Sequence, residues 1–400
     1  MPGLCTFCDR PLDDSLEHIL QSSIGGQKCS RRVICSEHNN IFGRTIDGVL
    51  AKQFALLCNL FAIETGRGET AATLQGLETA DGQRIDLAPG GKMVARGECK
   101  TTDLEPGKKQ VTIQAGDENQ ARRLSAQYMK KFGENAVLQS PMYEMRIDPV
   151  AEVKFDCEIG GDAIRAIAKA GLLLLASELG ADAVRGDDTL AVRTFITNGG
   201  ESSDFVRLDY ETVCPRIQQL EPLPPFAHRM AAIADPTARI AVALIELFGT
   251  FRYTVLLSAD WEGAALAIHY GVDPTTGDDI AVCMEAHSPL TVEDFRSRLF
   301  PSTEILPRLE RLFAMAKQRQ IEVSIAEITE RVVREMLPPE RVGTMITPVE
   351  VAEIQKVALA RLMAAHGGVP YSKSLDVSRL HEPAADSEPS ARKRRRKGQS

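Results

Sequence analysis

The 400-residue sequence is 44% hydrophobic and 26% charged, the balance of a soluble globular protein, and it is long enough for two or three domains. No apolar run approaches the ~18–20 residues that a membrane span needs, and Cys5 and Cys8 stand where a signal peptide has its apolar core. These features predict a cytoplasmic protein with no membrane partner. The net charge of −8 argues against binding nucleic acid through a general positive field.

The first predicted domain covers residues 1–62. Gly25-Gly26 is typical of a hairpin turn. From Ile41 to Leu60, apolar residues recur at three- and four-residue steps, which predicts one amphipathic helix over residues 39–60. Asn39 and Asn40 are then candidates for its N-terminal cap.

Mixed patterns fill the next two predicted domains, a small α+β segment at 63–149 and an α+β domain of unknown role at 150–290. Helix periodicity and cap signals predict helices over 117–132 and 162–179, with Asp117 and Asp162 as their N-caps. Residues 190–197 fit either a helix or a strand. Strand patterns mark residues 111–114, 151–159, 229–233, 240–247, 251–257, 264–270 and 279–284.

The last third is predicted to be a helical region at 291–368 and a disordered basic tail at 369–400. Helix periodicity marks 291–299, 302–318 and 323–336, and Thr347-Pro348-Val349-Glu350 is a capping box that opens another helix. Six consecutive cations occupy residues 392–397, so the rest of the chain carries −8 − 6 = −14. Such a run either binds phosphates or serves only as a solubilising tail.

Four metal-binding side chains cluster near the start of the chain. Cys5 and Cys8 form a CxxC pair, and Cys35 and His38 form a CxxH pair. Two such pairs can close one tetrahedral zinc site, and a structural zinc would stabilise a segment too short to bury a sufficient core. The alternatives are four merely buried side chains, or Cys29 instead of His38 as the fourth ligand.

Between the two pairs lies Glu17-His18-Ile19, and Asn39 directly follows the second pair. Metal-assisted hydrolysis needs an activated water and a cation that neutralises the departing group. His18 can accept a proton near neutral pH, and the Glu17 carboxylate suits Mg²⁺ or Mn²⁺. A lone Glu-His pair is otherwise common surface decoration.

These motifs, in this order, resemble the HNH endonucleases, also called ββα-metal fingers, over about residues 1–60. The resemblance implies that His18 is the general base, that Glu17 and Asn39 hold one catalytic divalent metal, and that zinc is structural. It also implies that the helix after the second pair lies against the nucleic acid backbone. The predicted fold is α+β: a zinc-stapled ββα-metal finger, a mixed α+β body and a helical C-terminal region.

Three positions depart from the family pattern. Asn39 replaces a histidine, Ser30 stands near the place of the middle asparagine, and His38 replaces the more usual cysteine. Asp47 is either a solvated carboxylate or a group beside the metal site. The departures at Ser30 and Asn39 leave open a catalytically inactive zinc module that binds nucleic acid or a protein.

The predicted function is metal-dependent endonucleolytic cleavage of double-stranded DNA, with RNA as the other substrate. Some 300 residues beyond the finger carry no catalytic constellation. We therefore expect residues 63–368 to serve targeting, regulation or homo-oligomerisation, as in defence or mobile-element proteins.

Overall fold

The computed structural model describes residues 3–66, 68–79, 82, 84–105, 108–115, 118–132, 160–208, 217–219, 224, 226–284, 291–296, 305–337 and 345–365. These residues fall into two compact units. The first lies within residues 1–144 and 151–327, and the second lies within residues 145–150 and 328–400. The elements form a mixed α+β fold, which confirms the predicted class. The finer domain boundaries at 62, 149, 290 and 368 stay predictions.

The N-terminal segment contains a minimal hairpin and three consecutive short helices. Its elements are β1 (Glu17–His18), β2 (Cys29–Ser30), α1 (Ser36–Arg44), α2 (Ile46–Gln53) and α3 (Ala55–Leu60). The hairpin turn lies where it was predicted, with Gly25 in the left-handed conformation at φ 92°.

The prediction of one continuous helix over residues 39–60 is wrong. Helix α1 already begins at Ser36, and the chain leaves helical geometry at Thr45, whose φ and ψ are −111° and −102°. The Thr45 hydroxyl donates to the Ile41 carbonyl at 2.8 Å, a local bond that competes with regular helix. The break at Phe54 places that ring in the core, where it is buried.

The next described segment is built from antiparallel strands and one helix. Strands β3 (Leu74–Glu78), β4 (Arg84–Ala88) and β5 (Lys92–Ala95) form one sheet, and β6 (Glu98–Glu105) pairs with β7 (Lys108–Gln114). The strand predicted at 111–114 is the end of β7. Helix α4 (Glu118–Phe132) confirms the predicted helix, whereas its proposed cap Asp117 lies outside the described residues.

The central body is a five-stranded antiparallel sheet with a long helix on one face. Its elements are α5 (Asp162–Leu179), α6 (Leu190–Asn198), β8 (Val206–Leu208), β9 (Ile217–Gln219), β10 (His228–Asp235), β11 (Ile240–Leu247), β12 (Phe251–Ser258), β13 (Leu266–Val272) and β14 (Val282–Met284). The sheet order is β13-β10-β11-β12-β8, and β14 pairs with β9. The ambiguous segment 190–197 is helical, and the strand predicted at 151–159 lies outside the described residues.

Helix α5 packs closely against this sheet. A Cβ placed on Gly171 would lie 2.7 Å from the Cβ of Ala243 on β11, so the helix approaches the sheet at a position where only glycine fits. The predicted N-cap role of Asp162 is wrong, because Gly161 occupies the cap position and Asp162 instead pairs with Arg165 at 2.8 Å.

The N-terminal segment shares the hydrophobic core of the body. The Phe54 ring lies 5.3 Å from the ring of Phe248 and 5.0 Å from that of Phe251, between centroids. Buried side chains of α1 and α2, including Phe42 and Ile46, belong to the same core cluster as those of α5 and the sheet.

Polar contacts from the sheet also hold the hairpin turn. The Tyr270 hydroxyl accepts from the backbone N–H groups of Gln27 and Lys28 at 3.2 and 3.0 Å. The Phe248 N–H donates to Nδ1 of the buried His228 at 3.0 Å, so the ring proton lies on Nε2, 2.6 Å from the Ile24 carbonyl. This bonding requires a neutral imidazole, since a second ring proton would face the Phe248 N–H.

His228 predicts a loss of stability in mild acid. Burial lowers the pKa of His228 from 6.5 to about 4. Because the unfolded chain binds the proton first, the stabilisation is complete above about pH 6.5 and is lost as the pH falls towards 4. In urea unfolding, we expect the free-energy difference between wild type and His228→Gln to shrink by about 2 kcal/mol from about pH 7.5 to about pH 5. A pH-independent difference would contradict this assignment.

The C-terminal elements are α7 (Val292–Arg296), α8 (Ile305–Met336) and α9 (Pro348–Ala365). The predicted helices at 302–318 and 323–336 are one continuous helix, α8. The capping box is confirmed: the Glu350 N–H donates to Thr347 Oγ1 at 3.3 Å, and the Thr347 N–H donates to Glu350 Oε2 at 2.9 Å. The basic tail lies outside the described residues. Within those residues, every helix is too short or too polar to cross a bilayer.

Candidate functional site

Four predicted ligands converge at the start of the chain. Ligand atoms of Cys5, Cys8, Cys35 and His38 all lie within 4.8 Å of one another. His38 Nδ1 is 3.8 Å from Cys5 Sγ and 3.7 Å from Cys35 Sγ, and the Cys8 and Cys35 sulfurs are 3.8 Å apart. Tetrahedral zinc with Zn–S bonds of about 2.3 Å places its ligands about 3.8 Å apart. The cluster therefore fits a zinc ion, and it brings together all four predicted ligands.

The chemistry of these donors also fits zinc. Burial raises the pKa of the Cys5 thiol to about 12, so a bound cation is needed to hold this side chain as a thiolate. Burial lowers the pKa of His38, which favours the neutral imidazole that binds metals. Cys29 is exposed and donates to the Gln27 carbonyl at 3.2 Å, which excludes it as the alternative fourth ligand.

Backbone hydrogen bonds and one arginine fix the first Cys pair. The Thr6 N–H and hydroxyl both donate to the Val33 carbonyl, at 3.0 and 2.7 Å, and so join the two metal-binding pairs. From the body, the Arg185 guanidinium donates to the carbonyls of Cys5 and Cys8 and pairs with Asp9 at 2.5 Å. The zinc site is therefore tied to the segment that follows α5.

Glu17 is buried and holds an ion pair with the body. The fully buried ammonium of Lys169, in the middle of α5, lies 2.7 Å from Glu17 Oε1 and 2.6 Å from Asp47 Oδ2. Gln21 Nε2 donates to the other oxygen of Asp47 at 2.6 Å. We call Glu17, Asp47, Lys169 and Gln21 the buried ionic cluster. Asp47 is therefore an ion-paired group beside Glu17 rather than a solvated carboxylate.

Two opposing effects set the ionisation of this cluster. Burial raises the pKa of Glu17, although the neighbouring Lys169 charge works in the other direction. Burial by itself lowers the pKa of Lys169, but the carboxylates of Asp47 and Glu17 together raise it above its ordinary value. Lys169 is thus a permanent cation at neutral pH, in contact with two acidic side chains.

His18 lies beside Glu17 on β1 and pairs in register with Cys29, while Glu17 pairs with Ser30. Its side chain is half-buried, and its Nε2 faces the backbone of Gly66, at which a Cβ would lie only 3.0 Å away. Because successive strand residues point to opposite faces, Glu17 and His18 can converge on one phosphate only at a strand end or bend, and the two-residue strand β1 ends at His18.

Asn39 lies in the first turn of α1, not at its cap. The helix begins at Ser36, and Cys35 occupies the cap position, so the cap role considered for Asn39 and Asn40 is wrong. The Asn39 amide donates to Ser15 Oγ at 3.0 Å and to the Leu16 carbonyl at 2.9 Å. These bonds place Asn39 next to the residue that precedes Glu17 and leave its amide oxygen for a ligand.

One comparison identifies this segment. Residues 5–55 match the HNH endonuclease family. The match spans every predicted site residue, from Cys5 to Asn39, and confirms the resemblance seen in the motifs. Comparisons with curated proteins and with solved structures give no match. The HNH segment, residues 5–55, supports a nuclease class and a nucleic acid substrate in general terms.

Two features of the HNH segment differ from the expected geometry. The helix after the second pair was expected to lie against the nucleic acid backbone, but at its N-terminus the Ser36 N–H already donates to both Asp13 carboxylate oxygens, at 3.0 and 3.1 Å. Hydrogen bonds from Ser36 lower the pKa of Asp13. At the position of the middle asparagine, the Ser30 hydroxyl accepts from the Arg32 N–H at 3.2 Å.

Sequence reasoning missed Lys169 and Gly66. Lys169 interrupts the apolar stretch 166–176 of α5, and a lone cation within such a stretch indicates a buried charge that needs a partner. Its partners lie more than a hundred residues away, so periodicity could not name them. Gly66 offers no signal in the sequence, because its importance comes only from its distance to His18.

The closeness of Gly66 to the His18 ring leads to a prediction for the variant Gly66→Ala. A Cβ on Gly66 would lie 3.0 Å from His18 Nε2 and 2.9 Å from Ser22 Cβ, so the imidazole must shift. We expect Gly66→Ala to displace His18, the predicted general base, and so to lower the rate of plasmid cleavage about ten- to a hundredfold, since small misplacements of reacting groups are costly. Its melting temperature should stay close to that of wild type. Gly160→Ala, where a Cβ meets nothing within 4 Å, is the matched control; equal rates for both variants would contradict the prediction.

Proposed function

We propose that the chain is a metal-dependent endonuclease that hydrolyses phosphodiester bonds of DNA. The observation that carries the proposal is the placement of His18 and Glu17 on one short strand, inside a zinc-compatible segment that matches the HNH family. Zinc has a structural role in this proposal, since four protein ligands close its coordination shell and leave no open position for chemistry.

His18 is the proposed general base. It stands at the end of β1 and is half-buried. A positioned histidine that removes the proton of an attacking water typically accelerates such reactions by about 10²–10⁴. As the imidazole takes a proton from water, the water oxygen bonds to phosphorus and the bond from phosphorus to the departing oxygen breaks. The departing oxygen takes a proton from solvent, and the imidazole later returns its proton to solvent.

Glu17 and Asn39 are the proposed ligands of Mg²⁺ or Mn²⁺. A carboxylate offers two oxygens and about four lone-pair sites, so Glu17 can contact Lys169 through Oε1 and still bind a cation. The two hydrogen bonds of the Asn39 side chain, to Ser15 and Leu16, are both donated by its amide nitrogen, so its amide oxygen can bind the metal. When bound, the metal neutralises charge that develops on the scissile phosphate.

Double-stranded DNA is the proposed substrate, with RNA as the alternative. The body is acidic, so phosphate attraction must come from the site itself and from the basic run at residues 392–397. Binding through that run should weaken steeply as salt rises. We further propose that residues 63–368 target or regulate the nuclease, as in defence or mobile-element proteins. They would do so through a partner protein or a second copy of the chain. The proposed compartment is the cytoplasm.

An inactive zinc module is the second candidate. Ser30 and Asn39 depart from the family pattern, and the Ser30 hydroxyl is bonded to its own turn. Such a module would bind nucleic acid or a protein without cutting it.

The test is supercoiled plasmid incubated with the full chain and Mg²⁺ or Mn²⁺, beside an EDTA control and a labelled RNA. Nicking that requires the metal supports the nuclease. Plasmid retained on the protein without nicking in either metal supports the inactive module and refutes the enzyme.

A further inference from the structure

Helix α5 carries one charge into the core. Thirteen consecutive or near-consecutive residues from Ala163 to Ser177 are buried, and Lys169 is the single cation among them. Moving an ammonium from water into the core is costly. A buried ion pair seldom stabilises a fold more than apolar side chains of similar volume at the same place. A methionine would fill this place, so the charge calls for an explanation other than stability.

Every group that faces the Lys169 ammonium among the described residues comes from the HNH segment. Glu17 on β1 and Asp47 on α2 contact it directly, and the Phe42 ring on α1 lies 5.4 Å away between nitrogen and centroid. Gln21 holds Asp47 from the other side. One body residue therefore reaches three elements of the HNH segment at the point next to His18.

The Lys169 side chain is held in its position between Glu17 and Asp47 by the packing of α5 and of the HNH segment. The helix is packed on the sheet, with Gly171 two residues on against Ala243. The turn of the HNH segment is bonded to the same sheet through Tyr270 and His228. Withdrawing the ammonium would require separating elements that share one core.

We propose that Lys169 is a positioning residue of the nuclease site, supplied by the body. Its ammonium holds Glu17 Oε1, and this contact turns the other carboxylate oxygen towards the catalytic metal. Asp47 and Gln21 hold the ammonium itself in place. The inference rests on the proposed function, because it assigns Glu17 as a metal ligand. Side chains that hydrogen-bond to a metal-binding residue and orient it typically contribute about 10- to 100-fold in metal affinity or activity.

Lys169→Met in the full chain is the direct test, because methionine keeps the length of the buried stem and removes the charge. Mn²⁺ binding is measured by electron paramagnetic resonance without substrate, and the Mn²⁺ dependence of plasmid cleavage is measured in parallel. Zinc content and circular dichroism report the fold. Glu178→Gln is the matched control: it breaks another ion pair from α5 to the HNH segment, the exposed Lys28–Glu178 pair at 3.3 Å.

We expect Lys169→Met to keep its zinc and to bind Mn²⁺ about 10- to 100-fold more weakly, while Glu178→Gln matches wild type. An unchanged Mn²⁺ affinity in folded Lys169→Met overturns the inference and leaves the nuclease standing. Wild type that neither binds Mn²⁺ nor cuts overturns the proposed function, and the inference with it.

If Lys169→Met fails to fold, the same measurements of Mn²⁺ binding, zinc content and circular dichroism are made on the double variant Lys169→Met, Asp47→Asn. It restores the local charge balance of wild type, one uncompensated carboxylate, while still lacking the ammonium. Weakened Mn²⁺ binding in the double variant supports the positioning role, and wild-type affinity overturns it.

Discussion

Cys35→Ser should abolish zinc binding and unfold the HNH segment. Cys35 is buried and lies within 3.8 Å of both Cys8 and His38, so its loss removes a central ligand. Structural zinc contributes about 10–16 kcal/mol in small zinc-finger peptides, as much as the whole stability of a typical domain. Since Phe54 of this segment packs on Phe248 and Phe251, the body should lose stability as well.

The measurements are zinc content by elemental analysis, thermal melting and plasmid cleavage. Cys29→Ser is the matched control, because it makes the same substitution six residues away at an exposed side chain whose hydrogen bond to Gln27 a serine can replace. The control should keep stoichiometric zinc and wild-type melting. Stoichiometric zinc in Cys35→Ser, or zinc loss in Cys29→Ser, would show that the ligand set is different.

His18→Ala should reduce cleavage by about 10²–10⁴-fold, the usual contribution of a positioned general base. The side chain is half-buried at the surface of β1, outside the zinc cluster and outside the buried ionic cluster. We therefore expect zinc content, melting temperature and Mn²⁺ affinity to stay near those of wild type. The loss should appear in kcat rather than in KM, because the imidazole acts on the attacking water.

His269→Ala is the control for this substitution. His269 is an exposed histidine on β13, and its removal deletes an imidazole without touching the HNH segment. Equal cleavage by His18→Ala and wild type would refute the general-base role. A loss that is accompanied by zinc release would instead indicate a structural contribution of His18.

Much of the local structure could be predicted from the chain alone. The hairpin turn, four of the five strands of the body sheet (β10 to β13), helix α5 and the capping box at Thr347 follow from turn residues, periodicity and cap chemistry, which act over a few neighbouring residues. Strand β8 was not predicted. The predictions that failed concern boundaries. The helix predicted over 39–60 breaks at Thr45, where the hydroxyl bond to the Ile41 carbonyl competes with regular helix. The two helices predicted after residue 302 form one continuous helix, α8.

The sequence by itself pointed to the two pairs of the zinc-compatible cluster, with Cys29 left as an alternative to His38, and it named the Glu17-His18 pair and the HNH family. Only the tertiary structure decided how that pair is built into the protein. It placed Lys169 on Glu17, Arg185 on the zinc-binding turn, and His228 and Tyr270 on the hairpin. These contacts join residues more than a hundred positions apart, and no local pattern encodes which buried charge meets which carboxylate. The physical reason is that burial makes such pairing obligatory, whereas only the fold determines the partner.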